Sequence, residues 1–400
     1  MKLVLRNATR VCPDGGVSTG DVFVDGDVLA AAPADGAEAF DCRGRIVAPG
    51  IVDLGVFGID LPAFRAGGIV RVGLMPDQSP VLDDPGIIRR AAEMGKPELW
   101  IHPLAAATRG LAGTDLAEMA INAGAGALAV ATGRGWIADS GVMRRVLGYA
   151  RDCGLTLIAH AEDGGLAAGA VATAGETASR LGLPSAPACA EALAIARDLI
   201  LAEDTGAAIH FRQVTTRAGL ALVRDAKRRG VAVTCGITPA HLLLSDIATS
   251  DFRTFAHLSP PLRDEADRQA ALEALADGTI DVLCSGHDPR GPEEKRLPFA
   301  DSAAGMAGAE TLLALGLGLV RQGVIDLPRL WALLARNPAR ILRIDTGTLA
   351  PGRPADLVLV DPDAPWLVRA EASAGARNTP FDGLPVQGRV LKVMKGGVFR

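Results

Sequence analysis

Short apolar runs separated by turn residues dominate both ends of the chain and predict β-strands there. Asp25-Gly26 provides a hairpin turn between two of the N-terminal runs. The predicted strands are Lys2–Ala8, Gly20–Val24, Val28–Ala32, Ala355–Val360 and Gly388–Lys395. Two β-rich ends flanking a long middle predict one small sheet domain, a β-sandwich built from both termini.

The middle of the chain alternates between apolar strands and segments with helical spacing of apolar residues. The strands are predicted at Leu155–Ala159, Ala207–Phe211, Val231–Cys235 and Ile280–Cys284, and the helices at Gly141–Arg151, Pro187–Glu203 and Arg217–Arg229. Repeated βα units predict a parallel sheet covered by helices, and at this length an α/β fold of the (β/α)8 barrel type is favoured. The expected division is residues 1–47 and 346–400 for the β domain and 48–345 for the barrel.

Composition narrows the class of partner. The chain has 400 residues, 49% of them hydrophobic, and a net charge of -5 without a dense Lys/Arg stripe, which argues against a nucleic-acid partner.

The start of the chain lacks the apolar core of a signal peptide, and no segment offers an uninterrupted membrane span. The six cysteines are far apart and form no C-x-x-C pair, so disulfides are not expected and the cytoplasm is the expected compartment.

A series of short motifs gives a more specific indication of the family. In chain order they are Pro49–Asp53, Met75-Pro76-Asp77, His160-Ala161-Glu162-Asp163, Thr238–Leu244, Pro260-Pro261-Leu262-Arg263, Ser285–Pro289 and Asn337–Arg340. Each motif alone is weak, but together they resemble dihydroorotase, a cyclic-amide hydrolase of the amidohydrolase superfamily. The resemblance spans nearly the whole chain and implies a metal-dependent hydrolase barrel.

The same resemblance indicates that most functional positions have changed. Gly55 and Phe57 stand where the family has its two first-strand metal-binding histidines, and Gln213 stands at a third ligand histidine. Gly286 replaces the aspartate that serves as ligand and general base. The resemblance also implies changes at substrate-binding positions. Ile59 stands where the family has an arginine, and Asp77 and Ser259 stand where it has asparagines. Thr132-Gly133-Arg134 stands in place of an acidic D-D-G-like stretch.

Three histidines are candidates for a residual metal site. His160 matches a family ligand, and His210 and His287 also lie near predicted strand ends on one rim. The alternative, which is favoured, is that they are relics hydrogen-bonded within a filled cavity. Phe57 is expected to fill volume left by the metals, so that the barrel mouth is partly closed. Glu162 and Asp163 point apart and are expected in a solvated loop with capping roles.

The length of the segment after the first barrel strand predicts that it lacks the helix that the family has there. Asp60 to Gly67 is therefore expected to be a bare loop. Loss of that helix would leave an apolar, incompletely covered surface near Asp60–Arg71, which would favour self-association or contact with a partner chain.

Two functional hypotheses follow from the resemblance. The first is a catalytically inactive dihydroorotase homologue without a cofactor, acting as a structural partner of aspartate carbamoyltransferase in pyrimidine biosynthesis and forming homo-oligomers. The second is an active amidohydrolase with a rebuilt or residual zinc site. Only the second requires bound metal and turnover.

Overall fold

The computed structural model describes residues 2–400, which form eighteen strands and fourteen α-helices. The strands are β1 (Lys2–Cys12), β2 (Gly16–Asp25), β3 (Val28–Ala30), β4 (Glu38–Asp41), β5 (Ile46–Pro49), β6 (Ile51–Val56), β7 (Ile69–Leu74), β8 (Trp100–Ala106), β9 (Ala129–Ala131), β10 (Leu157–Ala159), β11 (Ala172–Thr173), β12 (Ser185–Ala186), β13 (Ile209–Phe211), β14 (Val233–Ile237), β15 (Val282–Leu283), β16 (Leu357–Leu367), β17 (Pro385–Lys395) and β18 (Val398–Phe399).

The helices separate most of the barrel strands. They are α1 (Leu61–Gly67), α2 (Pro85–Glu93), α3 (Met119–Gly124), α4 (Ser140–Asp152), α5 (Gly164–Ala167), α6 (Glu176–Leu181), α7 (Cys189–Thr205), α8 (Arg217–Arg228), α9 (Pro239–Leu243), α10 (Glu265–Ala276), α11 (Pro292–Lys295), α12 (Leu312–Arg321), α13 (Leu327–Trp331) and α14 (Asn337–Ile341). A π-helical segment, Ala332–Arg336, joins the last two. No helix among residues 2–400 is long and apolar enough to span a bilayer.

Eight strands form the parallel sheet of a nearly closed barrel, in the order β15-β14-β13-β10-β9-β8-β7-β6. The apolar residues of these strands and of the helices around them form the largest buried cluster. The predicted (β/α)8 barrel is therefore confirmed. The three predicted helices are confirmed as α4, α7 and α8, with Asp139 capping the start of α4 and Gly206, in the left-handed conformation, ending α7.

Side chains bridge the first and last strands of the barrel sheet. The buried Asp53 carboxylate on β6 accepts a hydrogen bond from the backbone N–H of Ser285 (2.9 Å) and another from the Ser285 hydroxyl, just beyond β15. The N–H of Phe57 donates to the carbonyl of His287 at 2.9 Å. These bonds hold the two edges of the sheet together at the point where strand pairing stops.

We expect Ser285→Ala to lower the free energy of unfolding by about 2 kcal/mol, because a hydrogen bond to a buried carboxylate is lost. Burial raises the pKa of Asp53 to about 6 although the bonds from Ser285 oppose the shift. The carboxyl group becomes neutral as the pH falls through 6, so the cost of the substitution should shrink at pH 5. Urea unfolding at pH 8 and pH 5 measures both effects. Ser179→Ala, on the exposed face of α6, is the control and should change stability by less than about 0.5 kcal/mol.

The two termini build a separate β-rich domain, as the sequence predicts. Its sheet runs β18-β17-β16-β5-β1-β2-β3, with β4 also paired to β1. The N- and C-terminal parts meet where β5 pairs antiparallel with β16. A buried ion pair joins this domain to the barrel, since Arg71 Nε on β7 lies 2.9 Å from Asp356 Oδ2.

The expectation of a bare loop after the first barrel strand is wrong, because the segment forms helix α1. Asp60 caps it by accepting a hydrogen bond from the Ala63 N–H at 3.2 Å, and Pro62 lies in its first turn. Gly68, with φ 78°, ends it in the left-handed conformation. Seven residues between a cap and a glycine stop are enough for two helical turns.

The uncovered apolar surface that we expected near Asp60–Arg71 is also absent from this part of the structure. Every residue of β6 and β7 is buried in the single chain. Helix α1 contributes to that burial through Ala63 and Phe64, and it contacts β7 and β17. This face of the barrel therefore gives no reason to expect a partner.

Candidate functional site at the mouth of the barrel

Residues that lie just beyond the ends of four barrel strands meet at one rim, as expected for the carboxyl ends of parallel strands. Phe57 follows β6, His160 follows β10, Arg212 and Gln213 follow β13, and Gly286 lies three residues beyond β15. A cavity of about 180 Å³ opens between these segments. Phe57, Gln213, Ser259 and Gly286, all singled out from the sequence, line it.

Phe57 lies in the mouth between two arginines. The Cζ atom of Arg134 is 4.1 Å from the ring centroid, and that of Arg212 is 4.9 Å from it. Only 7% of Phe57 is exposed. The ring therefore fills part of the mouth, as predicted, and it stabilises two guanidinium groups through cation–π contacts. Ile59 does not share this role, since it is half-buried and packs against the main barrel core.

Arg212 occupies the space between the positions that the resemblance assigns to metal ligands. Its Nη2 lies 3.2 Å from His160 Nδ1, and its Nη1 donates to Gln213 Oε1 at 3.3 Å. Because a guanidinium group has no acceptor, His160 Nδ1 must accept that bond. Arg212 is 5% exposed, and this burial lowers the pKa of the guanidinium group. The centre of the site is thus a buried cation.

Arg134 and Arg290 form an ion-pair network beside Arg212. Asp288 accepts from Arg134 Nε at 3.0 Å and Nη2 at 2.7 Å, and also from Arg290 Nη2 at 3.0 Å. Asp77 accepts from the backbone N–H of Arg134 at 2.9 Å. Asp77 therefore orients the loop that carries Arg134 in this structure.

Gly55 and Gly286, which the resemblance places at family ligand positions, have backbone conformations that disfavour side chains. Gly55 has φ +95°, and a Cβ added to it would lie 3.4 Å from Arg212 Cδ. Gly286 has φ +61°, and a Cβ there would lie 2.7 Å from Met306 Cε and 2.8 Å from Thr238 Cγ2. A side chain at either position would therefore strain the backbone, and one at Gly286 would also require its neighbours to move.

The three candidate histidines have separate environments. His160 contacts Arg212 through one ring nitrogen, and its Nε2 lies 3.7 Å from Glu162 Oε2. His210 Nδ1 lies 2.9 Å from Thr234 Oγ1, and burial lowers the His210 pKa to about 3. Within residues 2–400, no three histidine, cysteine or acidic side chains form a group that could hold a metal ion.

His287 lies outside the cavity at the mouth. It is fully buried, makes an edge contact with Phe64 at 5.2 Å between ring centroids, and has its Nε2 3.8 Å from Asp60 Oδ2. It lines a different cavity of about 120 Å³ beside the terminal β domain. Its role in this structure is packing between α1 and the last barrel strand.

Glu162 differs from the sequence expectation of a solvated loop. It is 7% exposed and pairs with Arg263 Nη2 at 3.0 Å. Burial alone would raise the Glu162 pKa, but the nearby His160 and the charge of Arg263 lower it to about 2. Asp163 does cap α5, as expected.

Sequence reasoning missed Arg134 and Arg212 as members of the site. Arg134 was noted only as part of a lost acidic motif, and Arg212 was not considered. The available signal was the polar pair Arg212-Gln213 directly after the apolar strand β13, at the end of a barrel strand where functional residues concentrate.

Comparison with known proteins agrees with the fold. The model of the amidohydrolase family matches residues 113–399. Among solved structures, the L-hydantoinase (dihydropyrimidinase) of Arthrobacter aurescens superposes with a TM-score of 0.88 at 24% identity, covering 99% of this chain and 95% of that chain. A dihydropyrimidinase of Brevibacillus agri superposes with a TM-score of 0.85 at 22% identity, covering 100% of this chain and 95% of that chain. At these identities the likeness concerns the fold alone.

Similarity to curated sequences extends over the whole chain. A protein of Pelotomaculum thermopropionicum named dihydroorotase is 38% identical over 418 residues, covering 99% of this chain and 98% of the relative. A protein of Pseudomonas aeruginosa named dihydroorotase-like protein is 37% identical over 419 residues, covering 99% of each. This chain therefore belongs to the amidohydrolase family, as a dihydroorotase-like member.

Proposed function

We propose that this protein is a catalytically inactive dihydroorotase homologue that serves as a structural partner of aspartate carbamoyltransferase in pyrimidine biosynthesis. The observation that supports inactivity most strongly is the position of Arg212. Its guanidinium group contacts both His160 and Gln213, the side chains at two family ligand positions. A fixed cation there takes the place of a metal centre.

The amidohydrolase family normally binds metals such as zinc, and the residues of this site do not fit such an ion. Catalytic zinc takes three protein ligands and keeps one open position. Gly55, Phe57 and Gly286 offer no ligand atom, and the Nδ1 lone pair of His160 is already used by Arg212. The positive charges of Arg212 and Arg134 would also repel a divalent cation. We therefore derive no catalytic step through a metal.

The alternative is an active amidohydrolase with a rebuilt site, and the names of the relatives favour it. Proteins named dihydroorotase are 36–39% identical to this chain over most of its length. An active site here would have to use groups other than the family ligands, because the family base position is Gly286. Hydrolysis of dihydroorotate that depends on a tightly bound metal would support this alternative and exclude the first proposal.

We propose the carbamoyltransferase partner from the resemblance, together with an intact barrel in which most of the family's metal ligands and its general base are not present. Co-expression with the same organism's aspartate carbamoyltransferase and size-exclusion chromatography tests it. We expect co-elution of the two chains and lower carbamoyltransferase activity when this protein is left out. Separate elution across physiological salt, with full carbamoyltransferase activity without this protein, would refute the partnership.

Self-association is supported by exposed apolar side chains on α7. Leu193 and Ile200 are 52% and 66% exposed and lie seven residues apart, on the same face of the helix. We propose that this face contributes to a homo-oligomer. Sedimentation of Leu193→Lys/Ile200→Lys should show a smaller species than the parent protein, whereas Leu297→Lys, at an exposed loop position, should not. Unchanged sedimentation of the double variant would refute the assignment of this face.

We further infer a cytoplasmic location, which the cysteines support. All six are unpaired, and Cys42, Cys235 and Cys284 are buried as thiols. Unpaired buried thiols are typical of reducing compartments. Cell fractionation with an antibody against the protein tests this location, and recovery outside the cytoplasmic fraction would refute it.

A further inference from the structure

The cavity beside the terminal β domain has a buried histidine without hydrogen-bond partners on its wall. His287 is fully buried, and neither of its ring nitrogens has a hydrogen-bond partner within the residues that the structure describes. Its Nε2 lies 3.8 Å from Asp60 Oδ2, which is too long for a hydrogen bond. Asp60 instead accepts from the N–H groups of Ala63 and Ala376. A buried polar group left unpaired is costly, and it commonly marks the place of a water, ion or ligand.

A carboxylate without a cationic partner lies on the same wall. Glu310 Oε2 accepts hydrogen bonds from the Ser373 hydroxyl at 2.7 Å and from the Ala374 N–H at 3.0 Å. These bonds fix the carboxylate against the chain segment that follows β16. No cationic side chain among residues 2–400 forms an ion pair with Glu310, and its Oε1 atom accepts no hydrogen bond there.

Two arginines line this cavity and lack carboxylate partners. Arg369, two residues beyond β16, makes no side-chain hydrogen bond or ion pair within the described part of the chain. Arg389, on β17, has its Cζ 5.2 Å from the centroid of the Trp366 ring and pairs with no carboxylate in the same part of the chain. Both arginines are exposed and therefore border the opening of the cavity. Although they share a cavity with Glu310, neither pairs with it.

The space between these groups is too large for a single trapped water. The cavity has a volume of about 120 Å³, several times the roughly 30 Å³ that one water occupies in the liquid. Small apolar side chains, those of Ala63, Ala307 and Ala309 among them, line other parts of the wall. A few convergent polar groups within a partly apolar wall are typical of small-molecule sites.

We propose that this cavity binds a small α-amino acid as its zwitterion. The ammonium group donates to Glu310 Oε1, and the carboxylate accepts from Arg369, whose planar fork matches it. The ligand also gives His287 a polar neighbour, directly or through a water. A simple anion would leave Glu310 unpaired, and a simple amine would leave Arg369 unpaired. The small volume restricts the class to amino acids with small side chains.

This site is separate from the cavity at the mouth of the barrel. The two cavities share no lining residue. The inference therefore goes beyond the proposed function and does not depend on it. Bound zinc or turnover would contradict the proposed function without affecting the amino-acid site, so the failures of the two proposals are distinguishable.

Equilibrium dialysis of the full chain against radiolabelled L-alanine at pH 7.5 tests the proposal. We expect saturable binding that approaches one molecule per chain, with a dissociation constant on the order of 1 mM or lower. Propionate lacks the ammonium group and ethylamine lacks the carboxylate, so neither should displace the label at the same concentration as unlabelled L-alanine.

Two variants place the ligand between the charged groups. Glu310→Gln and Arg369→Gln should each weaken L-alanine binding by about tenfold or more, as expected for loss of a hydrogen bond to a charged group. Glutamine at position 310 keeps an oxygen for Ser373, and Arg369 has no side-chain partner to lose, so both variants should fold. Glu176→Gln on α6 and Arg89→Gln on α2, at exposed positions, are the matched controls and should bind L-alanine like the parent protein.

Three results would overturn the inference. The first is the absence of saturable L-alanine binding to the parent protein. The second is displacement of the label by propionate or ethylamine as effective as that by unlabelled L-alanine, because one charged group would then be sufficient. The third is unchanged binding in both Glu310→Gln and Arg369→Gln, because the amino acid would then bind elsewhere.

Discussion

A variant carrying Gly55→His and Phe57→His should hydrolyse no dihydroorotate and should bind no more zinc than the parent protein. The new side chain at position 55 would start in contact with Arg212, 3.4 Å from its Cδ, on a strained backbone with φ +95°, so its imidazole ring would compete with that arginine for space in the site. The position of the family base would still be Gly286, and loss of a general base costs about 10²- to 10⁴-fold in rate. Turnover assays and metal analysis of the purified variant measure both expectations.

Adding Arg212→Ala to this double change distinguishes two causes of inactivity, namely obstruction of the metal position by Arg212 and the lack of a general base at Gly286. With the guanidinium group removed, the two introduced histidines and His160 could act as three zinc ligands. We expect the triple variant to take up zinc and still to lack turnover. Turnover by the double variant alone would contradict the account, because it would mean that the base does not reside at the position of Gly286.

The protein should lose stability steeply between pH 6.5 and pH 4. Burial lowers the pKa of five histidines, to about 3 or about 4, at His102, His210, His241, His257 and His287. In the unfolded chain each takes up a proton near pH 6.5, but in the folded chain each stays neutral until about pH 4 or below. The unfolded state therefore binds more protons in this window, and the free energy of unfolding falls as the pH falls.

Buried carboxyl groups oppose this trend but do not reverse it. Burial raises the pKa values of Asp53 and Asp198 to about 6 and also raises those of Asp267 and Asp281, so their contribution to stability grows as the pH falls. The five histidines outweigh these aspartates, and we expect a net loss on the order of 5 kcal/mol between pH 7 and pH 5, or a midpoint lowered by about 6 °C. Thermal unfolding across this range is the measurement. A midpoint that is constant or rises towards pH 5 would contradict the burial of these histidines.

The barrel and its terminal β domain could be predicted because strand and helix periodicities are local properties of the sequence. Helix α4 is an example, since its cap at Asp139 and its apolar spacing lie within thirteen residues. The sequence does not predict helix α1 when it is compared with the family, because the segment after the first barrel strand is shorter than the one that holds the family's helix. The local signals were present in Asp60, Pro62 and Gly68, and they define a helix of only seven residues.

The changed site could be predicted only as a set of missing groups. Substitutions at Gly55, Gln213 and Gly286 can be recognised from the motifs, but the group that takes the place of the ligands cannot. Arg212 becomes significant through its contacts with Phe57 and His160, which are 155 and 52 positions away in the chain. The position of Arg212 directly after the apolar strand β13 indicates that it lies at the rim, but it does not show which side chains the guanidinium group contacts.

Metal content and turnover, measured together on protein purified without chelators, test the central claim most directly. The claim is that a guanidinium group has replaced the metal centre of a dihydroorotase-like barrel, with Arg212 between His160 and Gln213. We predict far less than one zinc per chain by elemental analysis, and no hydrolysis of dihydroorotate with or without added zinc. Near-stoichiometric zinc, together with hydrolysis that a chelator abolishes and zinc restores, would contradict the claim.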